Sequence, residues 1–142
     1  NTLDALMQQE TADGRPVMDF AVLRDRLIRL QVQMRALRAN DLRLLSAKLN
    51  GKEAPLAEMI VKLEGCELRH QLEGLGVDAL GELGVLYDGS PHLRDDGSWQ
   101  RMYMFFLGLI IGGGTAQIQK NIISERGLGM PREPKAAAKG TA

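Results

Sequence analysis

The side chains best suited to bind a metal or attack a substrate are few in this sequence: one cysteine and two histidines. Cys66 and His70 lie four residues apart, one turn apart on a helix, which is the spacing of half a zinc site. Zinc takes three or four protein ligands, and His92 stands alone in a polar segment. We therefore expect no metal site and no Ser–His–Asp triad, and we interpret Cys66 as a buried thiol beside an ordinary histidine.

Three consecutive glycines, Gly112 to Gly114, followed by Thr115 suggest another kind of chemistry. A glycine run that leads into a helix exposes backbone N–H groups and the positive end of the helix dipole, which can hold a phosphate or the edge of a nucleotide. Glycines also allow a sharp corner between two helices. The residues alone leave both interpretations open.

The elements that must position these residues are helices, the longest of which begins after Asp19, a suitable N-cap, and ends at Asn50-Gly51. Its apolar residues recur at steps of three, four and seven, at roughly 1.5 Å per residue along the axis. This stripe consists of Leu23, Leu27, Leu30, Met34, Leu37, Leu44 and Leu45. The arginines of the segment lie mostly off the stripe, and we interpret them as a solvated or salt-bridged face rather than a phosphate-binding track.

Three more helices are expected after the longest one. The first begins at Pro55 and ends at Gly74 and Gly76, and the other two are capped by Ser98 and Thr115. The helix after Ser98 is apolar on nearly every side, so it has to be buried on every side. The sequence therefore predicts an all-α fold, an antiparallel bundle of the four-helix type.

Composition places residues 1–130 in one helical domain and predicts a disordered tail at 131–142, which has no apolar face. Eighteen basic and eighteen acidic residues cancel, so we expect neither nucleic acid nor an anionic membrane as a partner. The longest apolar run, Met102 to Ile111, is shorter than the roughly 20 residues that a bilayer requires. A lone cysteine fits a reducing compartment, which indicates a cytoplasmic location.

A longer pattern covers the last expected helix. The segment Gly113-Gly-Thr-Ala-Gln-Ile-Gln-Lys-Asn-Ile-Ile-Ser-Glu-Arg-Gly-Leu-Gly-Met-Pro131 resembles the closing signature of the acyl-CoA dehydrogenases, flavoproteins that desaturate acyl-CoA thioesters. Weaker resemblance runs through Gly14-Arg-Pro-Val, Gln71-Leu-Glu-Gly74 and the helix from Trp99 to Leu107. The resemblance covers nearly the whole chain and matches the C-terminal helical domain, the last third of the family's usual length.

The resemblance implies that FAD is the cofactor. In this family FAD lies between an N-terminal helical domain, a middle β domain and this bundle, and a neighbouring subunit's bundle touches the ADP half of the flavin. The positions that match FAD contacts by resemblance are Gln71, Gly74, Thr115, Ala116, Gln117 and Ile118. The implied reaction removes the α proton of an acyl-CoA with a carboxylate and transfers a hydride from the β carbon to flavin, which an electron-transfer flavoprotein reoxidises.

Two positions depart from the family pattern. Many members carry the catalytic glutamate where Gly113 stands, and a glycine cannot act as a base, so the catalytic residue is unknown and the base is expected on an earlier helix. The family often has Arg-x-Gln-Phe before the Gly-x-Pro, and its arginine meets the flavin pyrophosphate. Here Glu10, Ala12 and Asp13 occupy those places, so a negative charge replaces that contact.

The sequence thus supports two hypotheses. The first is an FAD-dependent acyl-CoA dehydrogenase that acts as a homodimer or tetramer, with this chain supplying the bundle that frames FAD. The alternative is a non-catalytic structural subunit that pairs with an active dehydrogenase chain. The absent glutamate at Gly113 and the absent arginine at Glu10 favour the alternative.

Overall fold

The computed structural model describes residues 2–132, so most of the expected tail lies outside the described residues. Five helices account for most of these residues: α1 (Thr2–Gln9), α2 (Ala21–Leu49), α3 (Pro55–Ala79), α4 (Ser98–Ile111) and α5 (Ala116–Ile122). Two short strands, β1 (Thr11–Ala12) and β2 (Arg15–Pro16), pair antiparallel between α1 and α2. Short 3-10 helices span Val17–Asp19, Gly81–Val85 and Asp95–Gly97, and a π turn (Ile123–Gly127) follows α5. The prediction of an all-α bundle is confirmed.

Helix α3 lies at the centre of the bundle, because it packs against α2 on one side and α4 on the other. The core takes aliphatic side chains from α1, α2 and α3 and the indole of Trp99 from α4. Met7 and Leu75 are fully buried, and burial of each such side chain contributes about 1.5–3 kcal/mol. The remaining core residues are Leu3, Leu6, Val17, Leu27, Leu30, Leu68, Ala79 and Leu80.

Two predicted helix starts are each wrong by one residue. Asp19 belongs to a 3-10 turn, and Phe20 is the N-cap of α2, with extended backbone and no side-chain cap. The Arg15 guanidinium lies 4.2 Å from the Phe20 ring centroid, and this contact helps to fix Phe20 outside the helix. Ser98 is the first residue of α4 rather than its cap, because Gly97 takes the cap position with a φ of 70°.

The predicted end of α3 is also wrong. Gly74 and Gly76 do not end the helix, which continues to Ala79 and is capped at Leu80. Gly76 lies under the Trp99 ring, where a Cβ would come within 2.7 Å of Cδ2 of the indole. Its role is therefore to let α4 approach α3, and this packing outweighs the low helix propensity of glycine.

The outer face of α2 and α4 carries many apolar side chains. Leu45, predicted on the apolar stripe of α2, is exposed, whereas Leu23, Met34 and Leu37 pack on the core.

No single helix among residues 2–132 is long and apolar enough to cross a membrane. One pair of segments meets the criteria of length and composition when taken together: α4 with its preceding turn, and α5 with the π turn. The two segments are bent by 41° relative to each other.

Candidate functional site

A cavity of about 450 Å³ opens between α2, α3 and α4. Its α3 wall includes Gln71 and Gly74, two of the positions matched to FAD contacts, so the structure places both beside one cavity. Helix α2 contributes Arg26 and Arg29, and α4 contributes Tyr103. The cavity combines aromatic, amide and cationic groups with the carboxylate of Asp78, which suits a flat polar ligand.

The aromatic wall of the cavity consists of His70 and Tyr103. Their rings are stacked, with centroids 4.4 Å apart and planes inclined by 18°. The stack depends on Gly74, because a Cβ at this position would lie 3.1 Å from Cε2 of Tyr103. The absence of a side chain at position 74 therefore keeps the tyrosine ring against α3.

The cationic wall is organised by two ion pairs. Arg26 donates through Nη1 to Oδ2 of Asp78 on α3 at 2.7 Å, and Arg29 donates through Nε to Oδ2 of Asp25 at the same distance. The hydrogen bond that Arg29 donates to Asp25, and the negative charge of Asp25, raise the pKa of Arg29 above its ordinary value. Both arginines are thus oriented cations, and each commits only one of its three nitrogens to its aspartate.

One polar atom in the cavity wall lacks a partner. Nδ1 of His70 is buried and accepts or donates no hydrogen bond within residues 2–132. Buried polar atoms are nearly always paired, so Nδ1 of His70 is an exception in the wall of the cavity. A 180° rotation of the ring about the Cβ–Cγ bond would exchange Nδ1 with Cδ2 and move the nitrogen to the other edge of the ring.

The glycine run forms a corner between α4 and α5. Gly113 and Gly114 have φ angles of 72° and 109°, which explains why glycine is required there. Lys62 of α3 donates to the carbonyl of Gly114 at 2.6 Å, and Nε2 of the buried Gln119 donates to the carbonyl of Gly113 at 2.8 Å. The corner is therefore held from two sides, by residues that the sequence analysis did not single out.

The structure places the second set of predicted site residues away from the cavity. Thr115 caps α5 as predicted, since its Oγ1 accepts from the N–H of Ile118 at 3.4 Å. Gln117 and Ile118 are exposed, Thr115 and Ala116 are partly buried, and none of the four lines the cavity. The two sets of residues therefore form two separate surfaces of this chain.

Gly113, at the position where many family members carry the catalytic glutamate, has a backbone conformation that a glutamate would adopt only with strain. Gly113 adopts a left-handed conformation, which costs a residue with a Cβ about 1–2 kcal/mol. The neighbouring ammonium is that of Lys62, whose Cε would lie 3.9 Å from a Cβ at position 113. This corner is thus built without a base.

The negative charge at Glu10 is neutralised. Arg94, from the loop before α4, donates through Nε to Oε1 of Glu10 at 2.7 Å. The charge expected at this position on sequence grounds is therefore paired rather than open to a ligand.

Cys66 is partly buried, and within residues 2–132 no group of three or more His, Cys, Asp and Glu side chains could hold a metal ion.

Comparison with known proteins identifies the family. Residues 2–128 match the family model for the acyl-CoA dehydrogenase C-terminal domain. The chain belongs to the acyl-CoA dehydrogenase family. It is 35% identical over 129 residues to acyl-CoA dehydrogenase IpdE1 of Mycobacterium tuberculosis, a match that covers 89% of this chain and 31% of that protein. The acyl-CoA dehydrogenase domain described here thus spans about a third of the length of this relative.

Solved structures support the acyl-CoA dehydrogenase fold. The ChsE4-ChsE5 complex from Mycobacterium tuberculosis contains a chain with a TM-score of 0.78 and 27% identity, covering 92% of this chain and 34% of that one. The structure described as the Tcur3481-Tcur3483 steroid ACAD has a TM-score of 0.78 and 21% identity, covering 93% and 33% of the two chains, and this likeness concerns the fold alone. Both neighbours are complexes of two differently named proteins.

Proposed function

We propose that this chain is the C-terminal bundle of an FAD-dependent acyl-CoA dehydrogenase and that it contributes one wall of a flavin site. The observation that carries this proposal is the cavity that holds Gln71 and Gly74 beside the stacked His70 and Tyr103. When bound, flavin supplies the redox chemistry of the family, and the protein supplies its position. Acyl-CoA as substrate, electron-transfer flavoprotein as electron acceptor and a cytoplasmic location remain predictions.

Two residue sets would hold the cofactor from different subunits. Gln71 and Gly74 would contact the ADP half of a flavin whose ring lies in a neighbouring subunit. Thr115 and Gln117 would contact a flavin from the other surface, Thr115 through its hydroxyl proton, because the oxygen lone pair already caps α5. The separation of the two sets on this chain agrees with the shared flavin sites that the resemblance implies.

The second candidate function is that of a non-catalytic subunit paired with an active dehydrogenase chain. The left-handed backbone of Gly113 and the adjacent Lys62 favour it, because they leave no base at the usual position. The heteromeric ChsE4-ChsE5 complex contains a chain of this fold, which supports a related dehydrogenase subunit as the partner.

The flavin content of the native polypeptide that carries this domain distinguishes the two candidates. Purified with any dehydrogenase chain that accompanies it, a catalytic homo-oligomer should carry one flavin per chain. A structural subunit should appear only in a mixed complex with fewer flavins than chains. Native mass spectrometry together with flavin absorbance measures both quantities.

The 142-residue chain alone should not retain FAD, because only one wall of the flavin site is present. The prediction is tested by dialysing the purified chain against FAD-free buffer and measuring flavin absorbance. The matched control is the longer native polypeptide under the same dialysis. Near-stoichiometric flavin on the isolated chain would contradict the proposed division of the site between domains.

Gln117→Ala should weaken FAD retention in the longer polypeptide without lowering its melting temperature. One neutral hydrogen bond is worth about 0.5–1.5 kcal/mol, and the Gln117 side chain is exposed, so it makes no contribution to the core. Thr115→Ala should weaken FAD retention too, and it should also cost about 1 kcal/mol of stability by removing the cap of α5.

Lys120→Ala is the control for these two variants, because Lys120 is an exposed residue of the same helix. It should change neither flavin occupancy nor melting temperature. A purely structural role for the segment predicts a different pattern: Thr115→Ala would lower the melting temperature, and Gln117→Ala would keep full flavin occupancy.

A further inference from the structure

We propose that Lys62 of α3 is a positioning residue: its ammonium holds the corner between α4 and α5 and thereby sets where Thr115 and Gln117 lie. The inference rests on the proposed function, in which Thr115 and Gln117 contact FAD. It adds to that function a residue on another helix that acts through these two.

The first step concerns the two groups that the ammonium joins. Nζ of Lys62 donates to the carbonyl of Gly114 at 2.6 Å, and a longer contact of 3.5 Å links it to the carbonyl of Ile110. Ile110 belongs to the last turn of α4, where backbone carbonyls lack the next turn of a helix as partner. Gly114 directly precedes Thr115, the N-cap of α5. One cation therefore connects the end of α4 to the beginning of α5, and a charged donor makes a strong hydrogen bond.

The second step concerns the support that this corner needs. Gly113 and Gly114 have φ angles of 72° and 109°, and glycine has the widest backbone freedom of any residue. Helices α4 and α5 make little direct contact with each other, whereas both pack against α3. The placement of α5 relative to α4 therefore depends on bonds between the corner and α3, and Lys62 supplies such a bond.

The third step concerns how the corner passes its position on to α5. The buried side chain of Gln119 donates through Nε2 to the carbonyl of Gly113 at 2.8 Å, which ties α5 back to the corner. The Thr115 carbonyl accepts from the N–H of Gln119 at 2.9 Å, and Oγ1 of Thr115 accepts from the N–H of Ile118 at 3.4 Å. A displacement of the corner therefore carries the whole first turn of α5 with it.

The first measurement is amide hydrogen exchange of the native polypeptide, together with any dehydrogenase chain that accompanies it. Lys62→Met keeps an unbranched apolar side chain of similar length and removes the ammonium. The amides of Ile118 and Gln119 should exchange about tenfold faster, since loss of a hydrogen bond from a charged donor shifts a local equilibrium by about that factor or more. The amides of Leu68 and Leu75 should keep their exchange rates, because these residues lie in the core of the bundle.

The second measurement is the dissociation constant of FAD for the same polypeptide. Lys62→Met should raise this constant by about tenfold, because the apparent affinity falls with the fraction of molecules whose binding surface is correctly placed. Lys62→Arg should bind FAD more tightly than Lys62→Met, because it keeps a cationic donor. Lys120→Met is the matched control: it removes an exposed lysine of α5 and should change neither the exchange rates nor the affinity for FAD.

The two measurements together distinguish positioning from other roles of Lys62. If the wild type holds FAD and Lys62→Met holds it equally well, the inference is wrong and the proposed function stands. If Lys62→Met weakens FAD binding without faster exchange at Ile118 and Gln119, Lys62 acts by another route and the inference is again wrong.

Two further outcomes would also contradict the inference. If Lys62→Met lowers the melting temperature and raises exchange equally in all helices, Lys62 supports the fold as a whole rather than the corner. If the wild-type complex never takes up FAD, the proposed function fails and this inference fails with it.

Discussion

Gly76→Ala is expected to destabilise the bundle by about 2 kcal/mol, although alanine is the better helix former. A Cβ at position 76 would lie within 2.7 Å of three atoms of the Trp99 ring. The ring cannot move aside easily, since it is 5% exposed and its Nε1 donates to Asp95 at 3.0 Å. Overpacking of a core typically costs about 1–3 kcal/mol, and overlap with a held aromatic ring belongs at the upper end of that range. Subtracting the roughly 1 kcal/mol that alanine gains in helix propensity leaves a net loss of about 2 kcal/mol.

Thermal and urea unfolding of the domain measure this effect, and Gly65→Ala is the matched control. Gly65 lies in the same helix, and a Cβ there would make only an ordinary contact with Leu37 at 3.8 Å. The control substitution should therefore stabilise the domain by about 0.5–1 kcal/mol. Equal effects from the two substitutions would show that Trp99 does not require a glycine beneath it.

Charged substitutions on the outer face of α4 are expected to separate the subunits of the assembly. Phe105 and Ile111 are 58% and 64% exposed, and Met104, Leu107 and Leu109 extend the same apolar surface. A monomer rarely leaves so large a contiguous apolar surface in water, so we expect another subunit to cover it. Loss of a central aromatic contact costs about 2 kcal/mol or more, so Phe105→Glu should raise the subunit dissociation constant by about 30-fold or more.

Sedimentation velocity over a range of concentrations measures this change. Leu49→Glu is the control, because Leu49 is 78% exposed at the last residue of α2 and a charge there should leave the assembly intact. A wild-type protein that stays monomeric at high micromolar concentration would contradict the prediction. If Phe105→Glu and Leu49→Glu raise the subunit dissociation constant equally, the effect is not specific to the outer face of α4 and the prediction is wrong.

The parts of the fold that the sequence predicted correctly depend on local signals. Asn50 and Gly51 end α2, Pro55 begins α3 and Thr115 caps α5, because turn and cap preferences act within a few residues. The predicted end of α3 is wrong, because Gly76 is a glycine that makes room for the ring of Trp99 on another helix rather than one that ends its own helix. Helix propensity describes a glycine correctly only where no distant side chain needs the space.

The candidate site divides in the same way. Gln71 and Gly74 were found through a family pattern, and the structure places them beside one cavity. Arg26 and Lys62 carry no local signal, because a lysine or arginine on a helix face is usually solvated. Their partners, Asp78 and the carbonyl of Gly114, each lie 52 residues away in sequence. Only the packing of α2 and α3 and the corner after α4 bring these groups together.

The π turn at Ile123–Gly127 has a consequence for insertions and deletions. Leu128 donates its N–H to the carbonyl of Ile123, one residue further back than in an α-helix. Deleting Ser124 would replace this wide turn by ordinary α-helical winding and so narrow the helix at Gly127. Gly127 lies against Leu56, where a Cβ would come within 2.7 Å of Cδ1, so a change in the path of this turn disturbs that contact. Related sequences should therefore keep their length through this segment, whereas the loop before α4 can absorb gained or lost residues.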